Sequence, residues 1–213
     1  MKPVGVPELQ GCPKQSISNT GRLLAPSDRI PMSTPLRTIT DGRSNKVAIL
    51  CHCIMNTNAK AVNLPTTKLY PFMVTKIIDC LARNSTSIVQ MPCPEQLFFG
   101  FSRRAGTMDR DSMDTHEFRR HCSSIAENVA TIVSEYIRNG FSVKCIVGSR
   151  GSPSCGVTKT HTSKGIESKP GILMEDVRKE LEGKGIQLKF MDIDLERADA
   201  IDRGIEELER LVE

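Results

Sequence analysis

The sequence has no run of about 18 apolar residues, so no stretch of it reads as a membrane-spanning helix. Its start lacks the apolar h-region of a secretory signal. The chain is therefore expected to stay in the cytoplasm, where thiols are kept reduced. No internal repeat is apparent. Strong charge is missing as well: the net charge is +4 over 213 residues, too little by itself to argue for a nucleic-acid surface. The cysteines do not pair as C-x2-C, which argues against a structural zinc site.

What is present suits one domain with a tail. The composition is ordinary for a globular protein, with 38% hydrophobic and 25% charged residues. The notable excess is eight cysteines. A chain of this length does not need disulfides for stability, and reduced cysteines are core fillers, nucleophiles or metal ligands.

Residues 1–44 hold six of the twelve prolines and show no apolar period. They read as a disordered or loosely attached tail. The tail carries six Lys/Arg against three Asp/Glu, so most of the net charge sits there and the remainder is nearly neutral. Residues 45–213 read as a single α/β domain. Residues 46–50 (KVAIL) are a short apolar run that suits a buried strand. Residues 69–83 read as a helix with Pro71 in its first turn and a buried face of Phe72, Val74, Ile77, Ile78 and Leu81. A strand at 87–91 runs into Pro92-Cys93-Pro94-Glu95, and a loop rich in Gly and Arg is expected after it. A long helix is expected over 115–139, with Ile125, Val129, Ile132, Val133, Tyr136 and Ile137 at helical spacing. A strand at 142–147, a helix at 172–182, a strand at 186–191 and a helix at 195–212 follow. Strands alternating with helices imply a small flavodoxin/Rossmann-like parallel sheet with helices on both faces. Right-handed crossovers leave few topologies, and the commonest of them for a small domain is flavodoxin-like, with the order 2-1-3-4.

In that order Cys53, Cys93 and Cys155 sit at or just beyond the carboxyl ends of three neighbouring strands. The carboxyl edge of an open parallel sheet is where ligands bind, and neighbouring strands lie about 4.8 Å apart. Three thiols distant in sequence would converge on one crevice. Thiolates are soft donors, suited to zinc or iron–sulfur centres. Pro92 and Pro94 fix the backbone around Cys93. Cys155 lies in a turn whose N–H groups can hydrogen-bond to sulfur. Glu95 and Ser152 are close enough in sequence to face a substrate held there.

Cys93-Pro94-Glu95, followed by Gly100 and Arg103-Arg104, and Ser152-Pro153-Ser154-Cys155-Gly156 resemble the signature of the thiouracil desulfidase family. Cys53-Ile54-Met55-Asn56 is similar to that family's first motif, usually Cys-Leu-Leu-Gly. The similarity runs from about residue 46 to 160. The usual Arg-Tyr-Asp-Gly after the first cysteine is replaced by residues 58–63, which points to a divergent member with another thio-substrate. The resemblance implies a 4Fe-4S cluster held by Cys53, Cys93 and Cys155 with one open iron, and catalytic roles for Glu95 and Ser152. It implies non-redox removal of sulfur from a C=S group of a thiolated nucleobase or a related small thio-compound, with Glu95 as general base and Ser152 as hydrogen-bonding partner.

Cys51 reads as a core or supporting thiol rather than a ligand. Cys80, Cys122 and Cys145 read as packing residues, and Cys12 belongs to the tail. His52 is read equally as a support for the site or as a structural residue. His161 is placed in a polar loop that would either close over substrate or be solvated, and His116 and His121 on a solvated helix face. Arg103, with Arg104, is a candidate for an anionic substrate group. Two other functions stay open. Desulfuration of thiolated tRNA is disfavoured by the near-neutral domain. An iron–sulfur sensor or carrier would gain if Cys51 were a fourth ligand. No oligomer interface is read from the helices.

Overall fold

The computed structural model describes residues 41–62, 70–104, 106–195 and 197–213, with nothing of the side chains of residues 70–73 and 198. The tail expected at 1–44, apart from its last four residues, lies outside the described residues, as do Cys12 and the Phe72 side chain.

Strand β1 (Lys46–Cys51) passes directly into the short helix α1 (His52–Met55). A single 3-10 turn (Thr57–Ala59) follows, then α2 (Tyr70–Arg83) and β2 (Ser87–Met91). Three helices come next: α3 (Pro94–Phe99), α4 (Arg110–Met113) and α5 (His116–Arg138). The chain continues as β3 (Ser142–Ser149), the hairpin strands β4 (Thr160–Thr162) and β5 (Gly165–Glu167), α6 (Ile172–Gly183), β6 (Lys189–Ile193) and α7 (Ala198–Val212). The main sheet has the order β2-β1-β3-β6 and every pairing in it is parallel. That is the expected order 2-1-3-4, with helices flanking the sheet.

The two inner strands are apolar along almost their whole length because both faces are covered. Val47, Ala48, Ile49, Leu50, Cys145, Ile146 and Val147 are all buried. The edge strands β2 and β6 carry more half-exposed positions. Helix α2 packs with α7 and α5 packs with α6. In α5 the buried residues Phe118, Cys122, Ile125, Ala126, Val129, Ala130 and Val133 follow the 3.6-residue period. Ile132, just beyond the edge of this stripe, is 40% exposed, and so is Ile137, which continues the stripe one turn past Val133 near the end of the helix. Thr115 caps α5 by accepting from the Phe118 amide at 3.2 Å.

Three expectations need correction. The segment after Cys93 is not a loop at first but α3, capped by the Cys93 sulfur and started by Pro94. The last strand begins three residues later than expected, because 186–188 lead into the sheet before pairing starts at Lys189. The polar segment around His161 is an antiparallel hairpin, not a loose loop. Its tip is held by Asp111, which accepts from the Ser163 amide at 3.1 Å and its hydroxyl at 2.6 Å.

No helix among the described residues is long and apolar enough to cross a membrane.

Candidate active site

The carboxyl ends of β2, β1 and β3 open onto a cavity of about 520 Å³. Its wall includes Cys53, Cys93 and Cys155, together with Glu95, Arg103, Ser152 and His161. These seven candidate residues therefore line one space. Each thiol arrives by a different local device. Cys53 lies in the first turn of α1, just past the end of β1. Cys93 is the N-cap of α3 and its sulfur accepts from the Gln96 amide at 3.4 Å. Cys155 sits in a turn pinned by its own amide, which donates to Ser152 Oγ at 3.0 Å.

The turn is pressed against the end of β3, where the Ser149 amide donates to the Cys155 carbonyl at 3.1 Å. Gly148 makes this approach possible: a Cβ there would lie 2.3 Å from the Cys155 carbonyl oxygen. Asp192 of β6 ties the following residues, accepting from the Val157 amide at 2.6 Å and from the Thr158 amide and hydroxyl at 2.7 Å.

Glu95 is the centre of the polar chemistry. Its Oε2 accepts from Arg103 Nε at 3.2 Å. Its Oε1 accepts from Ser154 Oγ at 2.5 Å and from Ser152 Oγ at 3.4 Å. A carboxylate offers about four acceptor sites, so three partners leave one for a substrate or a water. The Glu95 and Arg103 side chains are 14% and 3% exposed, so this ion pair is largely shielded from solvent screening. Arg103 also donates to the Gly100 carbonyl at 3.2 Å, to the Ala59 carbonyl, and to the Cys93 sulfur at 3.7 Å. Its guanidinium is thus engaged with the protein on every side and orients Glu95. Arg104, on the same cavity wall, is exposed.

The thiols differ in charge preference. Cys53 is pulled down to about 6, first by the hydrogen bond from Cys51, then by the Lys60 ammonium and a hydrogen bond from Ser149, against the opposing effect of burial. Lys60 lines the cavity and donates to Ser149 Oγ at 2.9 Å. Burial pushes Cys93 up to about 12, helped by the nearby Cys155. A bound cation would displace that proton. Cys51 is held well above the usual thiol range, because it donates to Cys155 and Cys53 and because it is buried.

Cys51, Lys60 and Ser154 are the residues the sequence reading did not place in the site. Cys51, expected as a core or supporting thiol, is buried and its sulfur lies 3.7 Å from that of Cys53. Ser154 stands inside the motif already quoted, so its signal was available. Nothing in the spacing of Lys60 announces it. His52 lies off the cavity, its ring between Gln90 at 2.8 Å and Asn56 at 3.3 Å. His116 is exposed, but His121 is not on a solvated face. It is half-buried beside Phe98, at 5.5 Å, and Phe118, with its Nε2 buried and unpaired among the described residues. Cys80, Cys122 and Cys145 are fully buried in the core.

Among the described residues no three His, Cys, Asp or Glu side chains are gathered to hold a single metal ion. The donor set on the cavity wall instead suits a larger soft-ligand group. Three thiols face it from neighbouring strand ends, and N–H and O–H groups already point at two of the sulfurs, Cys93 and Cys155. Cys53, Cys93 and Cys155 are the residues that would hold it.

The chain is similar to an uncharacterized protein of Methanocaldococcus jannaschii, 25% identical over 170 residues that cover 80% of this chain and 99% of the relative. No family model and no solved structure matches it.

Proposed function

We propose that this chain is a divergent member of the thiouracil desulfidase family, an iron–sulfur-dependent enzyme that removes sulfur from a C=S group of a small thiolated compound, a thiolated nucleobase or a relative of one. One observation carries the reading. Cys53, Cys93 and Cys155 share a cavity wall with a carboxylate that is fixed by an arginine on one oxygen and by serines on the other. When bound by the three cysteines, a 4Fe-4S cluster with one iron free of protein ligands supplies a soft Lewis acid for the sulfur of the substrate.

The chain's own residues do the rest. Glu95 takes a proton from water at its remaining acceptor site and so prepares it for attack on the polarised carbon. Arg103 and Ser154 hold the carboxylate plane fixed while this happens, so no reorganisation is needed at the moment of reaction. Ser152, 3.4 Å from Ser154 Oγ, is placed to hydrogen-bond the substrate. The products are an oxo compound and sulfide, with no net change of oxidation state.

The test is anaerobic purification with iron and sulfide counted per chain, followed by incubation with 2-thiouracil and an assay of sulfide release. The expected result is a brown protein with about four irons, whose sulfide release is lost in Cys155→Ala. A colourless protein that takes up no iron on reconstitution would overturn the proposal. Cys51, lying against Cys53 and Cys155, favours a second reading in which it closes the cluster as a fourth ligand and the chain is a sensor or carrier. An iron centre that is lost in Cys51→Ala, with no sulfide release by the wild type, would select it.

A further inference from the structure

Cys51 is a nucleophile beside the cavity that the proposed reaction leaves unused. We propose that Cys51 and Cys53 form a reversible thiol–disulfide site, in which Cys53 is oxidised by a peroxide entering the cavity and Cys51 resolves the product. The geometry divides the two roles. Cys53 is half-buried and lines the cavity, so a small oxidant reaches it. Cys51 is 1% exposed and is not part of the cavity wall, so it is protected until its partner has reacted.

The two sulfurs are 3.7 Å apart. A disulfide bond is about 2 Å long, so they close by less than 2 Å. Both cysteines stand at the junction where β1 gives way to the four-residue helix α1. Closing the bond therefore acts on the last residue of β1, paired with Met91, and on the first turn of this short helix, and leaves the rest of the sheet's pairing in place. Cys80, Cys122 and Cys145 lie fully buried in the core and offer no competing partner at the cavity wall.

The chemistry balances without a cofactor. The Cys53 sulfur attacks hydrogen peroxide, the O–O bond breaks, and a sulfenic acid and one water result. The Cys51 sulfur then attacks the Cys53 sulfur. The S–S bond forms, the S–O bond breaks, and the departing hydroxide leaves as a second water with the Cys51 proton. Two thiols have supplied the two electrons that reduce one peroxide. A dithiol reductant reverses the bond by exchange. The reaction does not rest on the function proposed above. Its consequence does: in the oxidised form Cys53 is no longer available to hold a cluster, so a chain that has lost its cluster is kept from irreversible oxidation until it is reduced.

The experiment uses the full chain, freed of any bound iron by chelation under anaerobic conditions. It is treated with hydrogen peroxide, its remaining thiols are blocked with iodoacetamide, and it is digested with trypsin. Cleavage after Lys46 and Lys60 places both cysteines in the peptide Val47–Lys60, while Cys155 falls in Gly151–Lys159. The expected product is an unalkylated Val47–Lys60 peptide two hydrogens lighter than its reduced form, which dithiothreitol converts to the doubly alkylated peptide. A doubly alkylated peptide without reduction, a Cys53 sulfinic acid beside an alkylated Cys51, or a cross-link to Gly151–Lys159 would each overturn the proposal. In Cys51→Ser, Cys53 is expected to proceed to the sulfinic acid, which dithiothreitol does not reverse. The wild-type digest decides the matter even if that variant folds poorly. It also stays readable if no iron or sulfide release is found, so the two proposals fail separately.

Discussion

The depressed Cys53 thiol gives a quantitative handle on the site. Its ionisation is drawn down to about 6 from an ordinary 9.0, with the Cys51 hydrogen bond as the largest cause. At pH 7 a thiol at about 6 is roughly 90% thiolate, and one at about 9 is roughly 1% thiolate, a gain of about 90-fold. A less basic thiolate is also a weaker nucleophile. With a Brønsted slope of 0.4–0.5, three units reduce its intrinsic reactivity by about 15- to 30-fold. The net advantage at pH 7 is about three- to sixfold. The sharper signature is the shape of the profile: alkylation rises through about pH 6 and is flat above about pH 7, where an ordinary thiol is still rising. The assay is pulse labelling of iron-free, fully reduced protein with iodoacetamide between about pH 4 and about pH 10, read on the Val47–Lys60 peptide by fragmentation. In Cys51→Ala the largest lowering influence is gone and the Cys53 midpoint moves up. A wild-type midpoint at about 8.5 to 9, or a midpoint unmoved in Cys51→Ala, would refute the reasoning. The same depression has a stability sign. A thiol that is more acidic folded than unfolded adds stability that is complete above about pH 9 and is lost as pH falls through about 6.

Other perturbations have directions fixed by the structure. Phe118 is fully buried against Phe98 and Phe99, so Phe118→Ala lowers unfolding stability by about 3–5 kcal/mol in urea titration, and a loss under about 1 kcal/mol contradicts that packing. Gly148→Ala drives a Cβ into the Cys155 carbonyl; it displaces the Cys155 turn and lowers iron per chain after reconstitution, measured beside an unfolding curve. Ser154→Ala removes the short hydrogen bond to Glu95, and on the proposed mechanism it lowers kcat for sulfide release by about tenfold or more. Ser152→Ala, at the longer 3.4 Å contact with Glu95, acts more on KM; equal effects of the two serines on kcat would refute their different roles.

Much of the site was legible in the sequence, and the reasons are local. Cys53, Cys93 and Cys155 each follow a short apolar run, and a parallel sheet gathers the ends of such runs on one edge. Right-handed crossovers leave few topologies, and in the commonest of them, which the chain adopts, β1, β2 and β3 are neighbours and the three thiols come to one edge. The short elements were less legible. Helix α3 begins at Pro94 and buries little, with Leu97 62% exposed, so it has no apolar stripe to read. The hairpin of β4 and β5 has three-residue strands, too short to show a period.

Sequence by itself determined the sheet, its order and the edge where the thiols meet, because those depend on apolar runs and chain handedness. Tertiary structure decided what surrounds each sulfur. Two residues apart on a strand, Cys51 and Cys53 would lie on the same face. The chain leaves the strand at His52, and only that turn sets one sulfur in the cavity wall and the other beneath it, in contact. Likewise Glu95 meets Arg103 and Ser154 across 8 and 59 positions of chain. Such pairings follow from the folded path of the backbone and leave no periodic trace in the residues between.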